Sequence, residues 1–142
     1  MPIRKANAKW TGDLMKGEGH MEFGSGAFKG KYSFGSRFEE AKGTNPEELI
    51  GAAHAGCFSM AFSAVLAKAG FKPEKIETTA KVHLDKIGDG FTITKVALST
   101  VGTVPDIDEE TFLKHANEAK AGCPVSRALT GVEIILDAKL EK

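Results

Sequence analysis

The chain has 142 residues, and its 19 basic residues are balanced by 19 acidic ones, so the formal net charge at pH 7 is zero. The length predicts one domain with a substantial core, and the balanced charge argues against binding to nucleic acid or membrane surfaces through bulk charge. The first ten residues contain no apolar run and the chain has only two cysteines, so we expect a cytoplasmic protein with reduced thiols.

The N-terminal region is rich in glycine, which separates three short β-like segments at residues 8–11, 20–23 and 31–34. This pattern predicts a β-meander with glycine turns or bulges. No strand-GxxxxGK[ST]-helix pattern occurs there, so the glycines do not indicate a phosphate-binding loop. Residues 36–43 are polar, and we interpret them as a linker.

A long central helix is predicted at about residues 46–69, with a signal at each end. Asn45 can cap the first turn, Pro46 suits the first helical position, and Gly70 can take the left-handed conformation after the last turn. The helix is apolar on nearly every side, so we expect it to be buried on nearly every side. It is about long enough to cross a bilayer, but its many small residues and His54 favour the buried helix of a soluble protein.

The second half of the chain predicts a β-hairpin, a helix and a final strand. Residues 76–101 alternate as two strands around a Gly-Asp-Gly turn, with a phase slip near Thr94-Lys95 that indicates a bulge. Asp108 can cap a helix at about 109–120, a short helical turn follows through Leu129, and a strand is predicted at about 132–140. We therefore predict a single α+β domain over residues 1–142, with antiparallel sheets packed on the central helix.

The predicted sheet and shorter helix cannot cover the whole central helix, so a symmetric homodimer that pairs two central helices is expected. Glu47 and Cys57 are ten residues apart on this helix, about 15 Å along its axis at about 1.5 Å per residue. Two antiparallel helices crossing near Ala52 would instead bring Glu47 of one subunit to Cys57 of the other. This hypothesis predicts an active site at the dimer interface.

The two cysteines are the main candidates for chemistry. A lone cysteine within a buried helix is usually inert, but Cys123 precedes a proline at a predicted helix N-terminus, where backbone donors and the helix dipole favour a thiolate. Arg37 could supply a fixed positive charge. His54, three residues before Cys57, could be a base for it or a hydrogen-bonded core residue.

Glu47 is a candidate to orient an arginine, whereas a metal site is not expected. With Asn45 as the helix cap, Glu48 is the third helical residue and completes a capping box, so the carboxylate of Glu47 remains free. The two cysteines and four histidines show no CxxC or HxxxH spacing, so no metal is expected.

The segments from Arg37 to Met60 and from Ala121 to Ser126 resemble the OsmC/Ohr family, and the placement of the arginine and of Ala-His-Ala before Cys57 is similar to its OsmC branch. The resemblance extends from Trp10 to the final strand. It implies a thiol-dependent peroxidase that prefers organic hydroperoxides to hydrogen peroxide, and an intertwined homodimer with its active sites at the subunit interface.

Carried over by position, the resemblance implies four site residues. Cys57 is the peroxidatic cysteine, and Cys123 is the resolving cysteine that forms a disulfide with it. Arg37 holds the thiolate and the peroxide, and Glu47 orients Arg37. No metal, flavin or other cofactor is implied, and an external dithiol such as a lipoyl group is the expected reductant.

Two alternatives remain open at this point. A hydrolase or acyltransferase using Cys57 and His54 would not need Cys123, and it would retain full multiple-turnover activity on an ester in Cys123→Ser. A non-enzymatic stress-related binding module would have thiols that stay unreactive to labelling in the folded protein. Phe23, Phe28, Phe58 and Phe62 could line an apolar substrate pocket, although most of them are expected to be core residues.

Overall fold

A computed structural model describes residues 1–141 as two compact units, the first from Met1 to Leu49 and the second from Ile50 onward. The first unit contains a three-stranded antiparallel sheet in the order β1-β2-β3, so the predicted meander is confirmed. Its strands and short helix are β1 (Ala6–Thr11), β2 (Glu18–Phe23), β3 (Lys29–Tyr32) and α1 (Phe34–Phe38).

Helix α1 lies partly within the segment that we interpreted as a linker, so that interpretation is wrong for residues 36–38. Two serines cap this helix reciprocally. Ser33 Oγ accepts from the backbone N–H of Ser36, and Ser36 Oγ accepts from the backbone N–H of Ser33. This reciprocal arrangement is a capping box, whose usual sequence signal is a serine or threonine followed three residues later by glutamate or glutamine. The Ser33–Ser36 pair lacks that glutamate or glutamine, so the sequence does not mark it.

The central helix, α2 (Pro46–Lys68), has the predicted ends. Asn45 Oδ1 accepts from the backbone N–H of Glu48 at 2.7 Å, and Gly70 adopts the positive φ of 97° expected after a helix. The Glu48 carboxylate accepts from the Thr44 hydroxyl at 2.9 Å. At the start of α2, Glu48 therefore contacts the side chain of Thr44, the residue before the Asn45 cap.

The second unit contains most of α2 and a second three-stranded sheet in the order β4-β5-β6. In the hairpin, His83 pairs with Lys95 and Leu84 pairs with Ile93, so Thr94 is the extra residue and the predicted bulge is confirmed. The remaining elements of this unit are β4 (Lys75–Ile87), β5 (Gly90–Thr103), α3 (Glu109–Gly122), α4 (Pro124–Ala128) and β6 (Glu133–Leu140).

The α+β class is confirmed, but the second sheet is mixed where we expected antiparallel pairing, because β6 pairs with β5 in parallel. Parallel neighbours require a long crossover connection, and α3 and α4 provide it between these two strands. The alternating pattern of β6 predicts a half-buried strand and carries no information about its direction.

One face of α2 forms the core of the second unit. Phe58, Phe62 and Leu66 have no solvent exposure and recur at helical spacing. The Phe62 ring packs against the rings of Phe58 and Phe112, with centroids 5.7 and 5.1 Å away. Of the four phenylalanines considered for a pocket, Phe58 and Phe62 are thus core residues.

The opposite face of α2 is exposed in the single chain, so the expectation of burial on nearly every side is not met within one subunit. Met60 is 77% exposed. By length and composition alone α2 could cross a membrane, but its face with Phe58, Phe62 and Leu66 packs in a protein core. The exposed face consists of apolar and mostly small residues, Ala52, Ala53, Gly56, Met60, Ala64 and Ala67.

Candidate active site

The two cysteines meet within the second unit. Cys57 lies in the middle of α2, and Cys123 is the residue at which α3 ends and α4 begins. Their sulfur atoms share a hydrogen bond at 3.0 Å, and both thiols are free. Cys123 has no solvent exposure, whereas Cys57 is partly exposed. A small movement of the two sulfurs would reach the bonding distance of about 2.05 Å for a disulfide.

The surroundings of the two sulfurs favour a thiolate at Cys123. Burial by itself raises the pKa of Cys123, but the hydrogen bond shared with Cys57 and the polar groups of Ser126 and Val125 nearby together lower it below its ordinary value. Burial raises the pKa of Cys57, and its hydrogen bond with Cys123 raises it further. The contacts of Cys57 within the second unit therefore disfavour its thiolate form.

Arg37 and Glu47 form a bidentate ion pair within the first unit. Arg37 Nε and Nη2 donate to the two carboxylate oxygens of Glu47 at 3.1 and 2.9 Å. Asn45 Nδ2 and Ser36 Oγ donate to backbone carbonyls across the same segment and join α1 to the start of α2. The side chain of Glu47 is only 10% exposed and that of Arg37 is 35% exposed, so the carboxylate holds the guanidinium while part of it faces outward.

An aromatic pocket of about 250 Å³ adjoins Arg37 in the first unit. The Trp10 and Tyr32 rings lie 5.3 Å apart, and both flank Gly19, because this residue pairs with each of them across the sheet. A Cβ at Gly19 would come within 2.5 Å of the Tyr32 ring. Glycine thus permits the two rings to meet. The pocket is lined by Trp10, Leu14, Tyr32, Ser33, Phe34, Arg37 and Phe38.

These aromatic residues differ from those that we considered from sequence. Phe23 and Phe28 pack on each other with centroids 5.0 Å apart, and neither lines the pocket beside Arg37. Phe34 and Phe38, four residues apart on α1, have ring centroids 4.9 Å apart. The i, i+4 spacing of these two rings beside Arg37 was the available sequence signal, and it was obscured by the interpretation of residues 36–43 as a linker.

His54 is hydrogen-bonded to a serine, and this contact decides between the two roles considered for its side chain, a base for Cys57 or a core residue. Its Nε2 atom lies 2.7 Å from Ser126 Oγ, and the ring has no solvent exposure. Burial lowers the pKa of His54, so the ring is neutral at physiological pH. The hydrogen-bonded core interpretation is confirmed, and Nε2 is not available as a base for Cys57.

Ser126 is a candidate-site residue that sequence reasoning missed. Its hydroxyl oxygen lies 2.7 Å from His54 Nε2, and its proximity helps to lower the pKa of Cys123. Its position three residues after the cysteine that begins α4 matches that of an N-terminal helical donor, which was the available signal. Within residues 1–141, no group of three or more His, Cys, Asp or Glu side chains could hold a metal ion.

Comparison with known proteins shows which family the chain belongs to. The family model described as OsmC-like protein matches residues 39–137, which is more than half of the chain. The chain belongs to the OsmC-like protein family. The resemblance found in the two cysteine segments is therefore confirmed.

Individual OsmC-like and Ohr relatives agree with this assignment. Peroxiredoxin OsmC of Escherichia coli (strain K12) is 53% identical over 139 residues, which cover 97% of this chain and 96% of that protein. Organic hydroperoxide resistance protein OhrB of Bacillus subtilis (strain 168) is 33% identical over 104 residues, 72% of each chain. The crystal structure of an organic hydroperoxide resistance protein OsmC from Legionella pneumophila matches with a TM-score of 0.74 and 25% identity, over 98% of this chain and 99% of that one.

Proposed function

We propose that this protein is a two-cysteine thiol peroxidase that reduces organic hydroperoxides to alcohols in defence against peroxide stress. The observation that carries the proposal is the pair of free thiols 3.0 Å apart, one partly exposed and one buried. An exposed thiol can meet a peroxide, and a buried neighbour can trap the oxidised product. The names of the two relatives, a peroxiredoxin and an organic hydroperoxide resistance protein, support the same activity.

The proposed cycle has three steps. The Cys57 thiolate attacks the terminal peroxide oxygen, the O–O bond breaks, and the alkoxide takes a proton and leaves as an alcohol. The Cys57 sulfenic acid then condenses with Cys123, forming a disulfide and releasing water. An external dithiol reduces this disulfide by thiol exchange and is itself oxidised to a disulfide. No prosthetic group enters the cycle, and a lipoyl-type dithiol is the proposed reductant.

Arg37 supplies the positive charge that Cys57 needs in this scheme. Burial raises the pKa of Cys57, so a guanidinium beside its sulfur would favour the thiolate and could also donate to the peroxide oxygens. Glu47 keeps the guanidinium in a fixed orientation through two hydrogen bonds. These roles follow the resemblance of the Arg37 and Glu47 segments to the family.

A homodimer is proposed as the active form, because the exposed apolar face of α2 needs a cover and Met60 projects from it. A second copy of the same face can provide this cover by two-fold symmetry. In such a dimer, Arg37 and Glu47 of one subunit would serve Cys57 of the other. We place the protein in the cytoplasm, where reducing conditions maintain both thiols.

The aromatic pocket beside Arg37 supports a preference for organic peroxides over hydrogen peroxide. Its rings offer an apolar surface for an alkyl or aryl group, and the guanidinium at its edge could receive the peroxide oxygens. Hydrogen peroxide has no apolar group to bury, so the pocket would not contribute to its binding.

The test is the intact mass and free-thiol count of reduced protein after addition of one equivalent of cumene hydroperoxide. We expect a loss of two hydrogens and a peptide that joins Cys57 to Cys123. Cys123→Ser should stop at a sulfenic acid on Cys57, and Cys57→Ser should leave the peroxide unreacted. Two free thiols and intact peroxide in the wild-type protein would refute the proposal.

A further inference from the structure

The guanidinium of Arg37 is held on two sides by side chains of the first unit. At its edge, Nε and Nη2 donate to the two carboxylate oxygens of Glu47 at 3.1 and 2.9 Å. Across its face lies the Phe38 ring, whose centroid is 5.3 Å from Arg37 Cζ. A cation over an aromatic face within about 6 Å of the centroid is attracted by the ring quadrupole. The carboxylate therefore limits rotation within the guanidinium plane, and the ring limits tilting out of it.

The contact between Arg37 and Phe38 does not follow simply from their adjacency. Neighbouring side chains on a helix point in different directions and do not face each other. Here α1 ends at Phe38, and Glu39 is already extended, with φ −133° and ψ −160°. The Phe34 ring, one turn earlier, packs on the Phe38 ring with centroids 4.9 Å apart. The ring that contacts the guanidinium is thus itself supported by a second ring.

The backbone that carries Phe38 is fixed by polar contacts. Helix α1 has only five residues, too few to be stable alone. Its start is capped by the Ser33–Ser36 pair. The Ser36 hydroxyl donates to the Thr44 carbonyl at 2.7 Å, and Asn45 Nδ2 donates to the Ser36 carbonyl at 3.0 Å. These contacts hold α1 against the start of α2 and keep the ring of Phe38 in a defined place.

We propose that Phe38 is a positioning residue for the peroxidase reaction, which holds the Arg37 guanidinium through a cation–π contact. The inference rests on the proposed function, in which Arg37 stabilises the Cys57 thiolate and the peroxide. Glu47 takes up two of the five N–H donors of the guanidinium. The donors on Nη1 and the second donor on Nη2 remain for sulfur and oxygen ligands. Phe38 and Glu47 together fix the direction in which these donors point.

Phe38 also lines the aromatic pocket, so the positioning role must be separated from a pocket role. A pocket contact would favour only peroxides that have an apolar group to bury. Orientation of Arg37 would favour every peroxide, because the thiolate and the O–O bond are common to all of them. Hydrogen peroxide has no apolar group, so its reaction rate reports on the arginine.

The experiment measures formation of the Cys57 sulfenic acid in Cys123→Ser protein by dimedone trapping and intact mass, with hydrogen peroxide and with cumene hydroperoxide. In Phe38→Leu we expect the second-order rate constant for hydrogen peroxide to fall about 3–10-fold, the effect of losing a partly desolvated cation–π contact. Phe38→Tyr retains the ring and should stay within about twofold of the parent protein. Phe28→Leu is the matched control, because it removes one ring of the stacked pair with Phe23 in the same unit, and it should leave the rate unchanged.

Two further measurements test whether the ring acts through the arginine. In Arg37→Met protein, Phe38→Leu should change the rate by less than about twofold, because the cation on which the ring acts is gone. Fluorinated phenylalanines at position 38 keep the shape of the ring and weaken its negative face, so the rate should fall with each added fluorine. This series tests the proposal even if Phe38→Leu does not fold. Circular dichroism and urea unfolding verify the fold of each variant.

The outcomes separate this inference from the proposed function. A parent rate with hydrogen peroxide in Phe38→Leu, an equal loss in the Arg37→Met background, or no effect of fluorine would overturn the positioning role. A loss with cumene hydroperoxide only would also overturn it and make Phe38 a pocket residue. A parent rate in Arg37→Met would instead refute the proposed role of the arginine, and absence of any sulfenic acid on Cys57 in the parent protein would refute the peroxidase cycle.

Discussion

Replacement of Glu47 by glutamine tests whether the bidentate ion pair serves activity more than stability. The carboxylate accepts two bonds from Arg37, at 3.1 and 2.9 Å. The isosteric amide can accept only one of them, and its NH₂ group would face the other guanidinium donor. Arg37 would keep its charge and lose its fixed orientation.

The stability cost of this substitution should be small. An ion pair with a partly exposed partner contributes up to about 1 kcal/mol, and the arginine here is 35% exposed. Loss of a negative charge in the first turn of α2 costs about 0.3–1 kcal/mol more. The total is at most about 2 kcal/mol, so Glu47→Gln should fold, since domains are typically stable by about 5–15 kcal/mol.

The effect on activity should be larger. If Glu47 orients the arginine that stabilises the thiolate and the peroxide, kcat/KM for cumene hydroperoxide should fall about 10–100-fold, equivalent to about 1.4–2.7 kcal/mol of transition-state stabilisation. Glu48→Gln is the matched control, because it removes the same charge from the same helical turn, where Glu48 bonds Thr44. We would measure peroxide consumption and urea unfolding of both variants. Activity of Glu47→Gln within twofold of wild type would refute the reasoning.

Three further predictions concern pH, assembly and specificity. Burial lowers the pKa of His54 below its ordinary value of 6.5, so the unfolded state binds more protons in acid. Stability should therefore fall as pH drops below about 6.5, by at most about 1.4 kcal/mol per pH unit, and urea unfolding of His54→Gln should lack this component. Met60→Asp should weaken the proposed dimer at least tenfold, measured by sedimentation, because an unpaired charge at an interface is costly. The control Lys114→Asp, at an exposed position of α3, should leave the dimer unchanged. A Met60→Asp dimer as strong as the wild type would contradict the interface. Phe34→Ala should raise KM for cumene hydroperoxide about tenfold through lost apolar contact and change KM for hydrogen peroxide less than twofold, and equal effects on both substrates would exclude a pocket role.

Local features of the chain could be predicted from sequence because neighbouring residues determine them. The cap at Asn45, the stop at Gly70 and the bulge at Thr94 depend on a few adjacent residues and on periodicity, and the structure has all three. Short polar caps were less visible, because the Ser33–Ser36 pair lacks the acidic residue that marks the common form. The family and its proposed cysteine chemistry could also be inferred, since the motifs around Cys57 and Cys123 are contiguous.

Only the tertiary structure decided the contacts between residues that are distant in sequence. The parallel pairing of β6, the meeting of His54 with Ser126 and the pocket around Arg37 each join separate segments. A hydrophobic pattern determines which face of an element is buried, but it does not select the neighbour that packs there. That choice depends on loop closure and on the packing of the whole core. It brings the buried His54 into hydrogen-bonding distance of Ser126, three residues after Cys123.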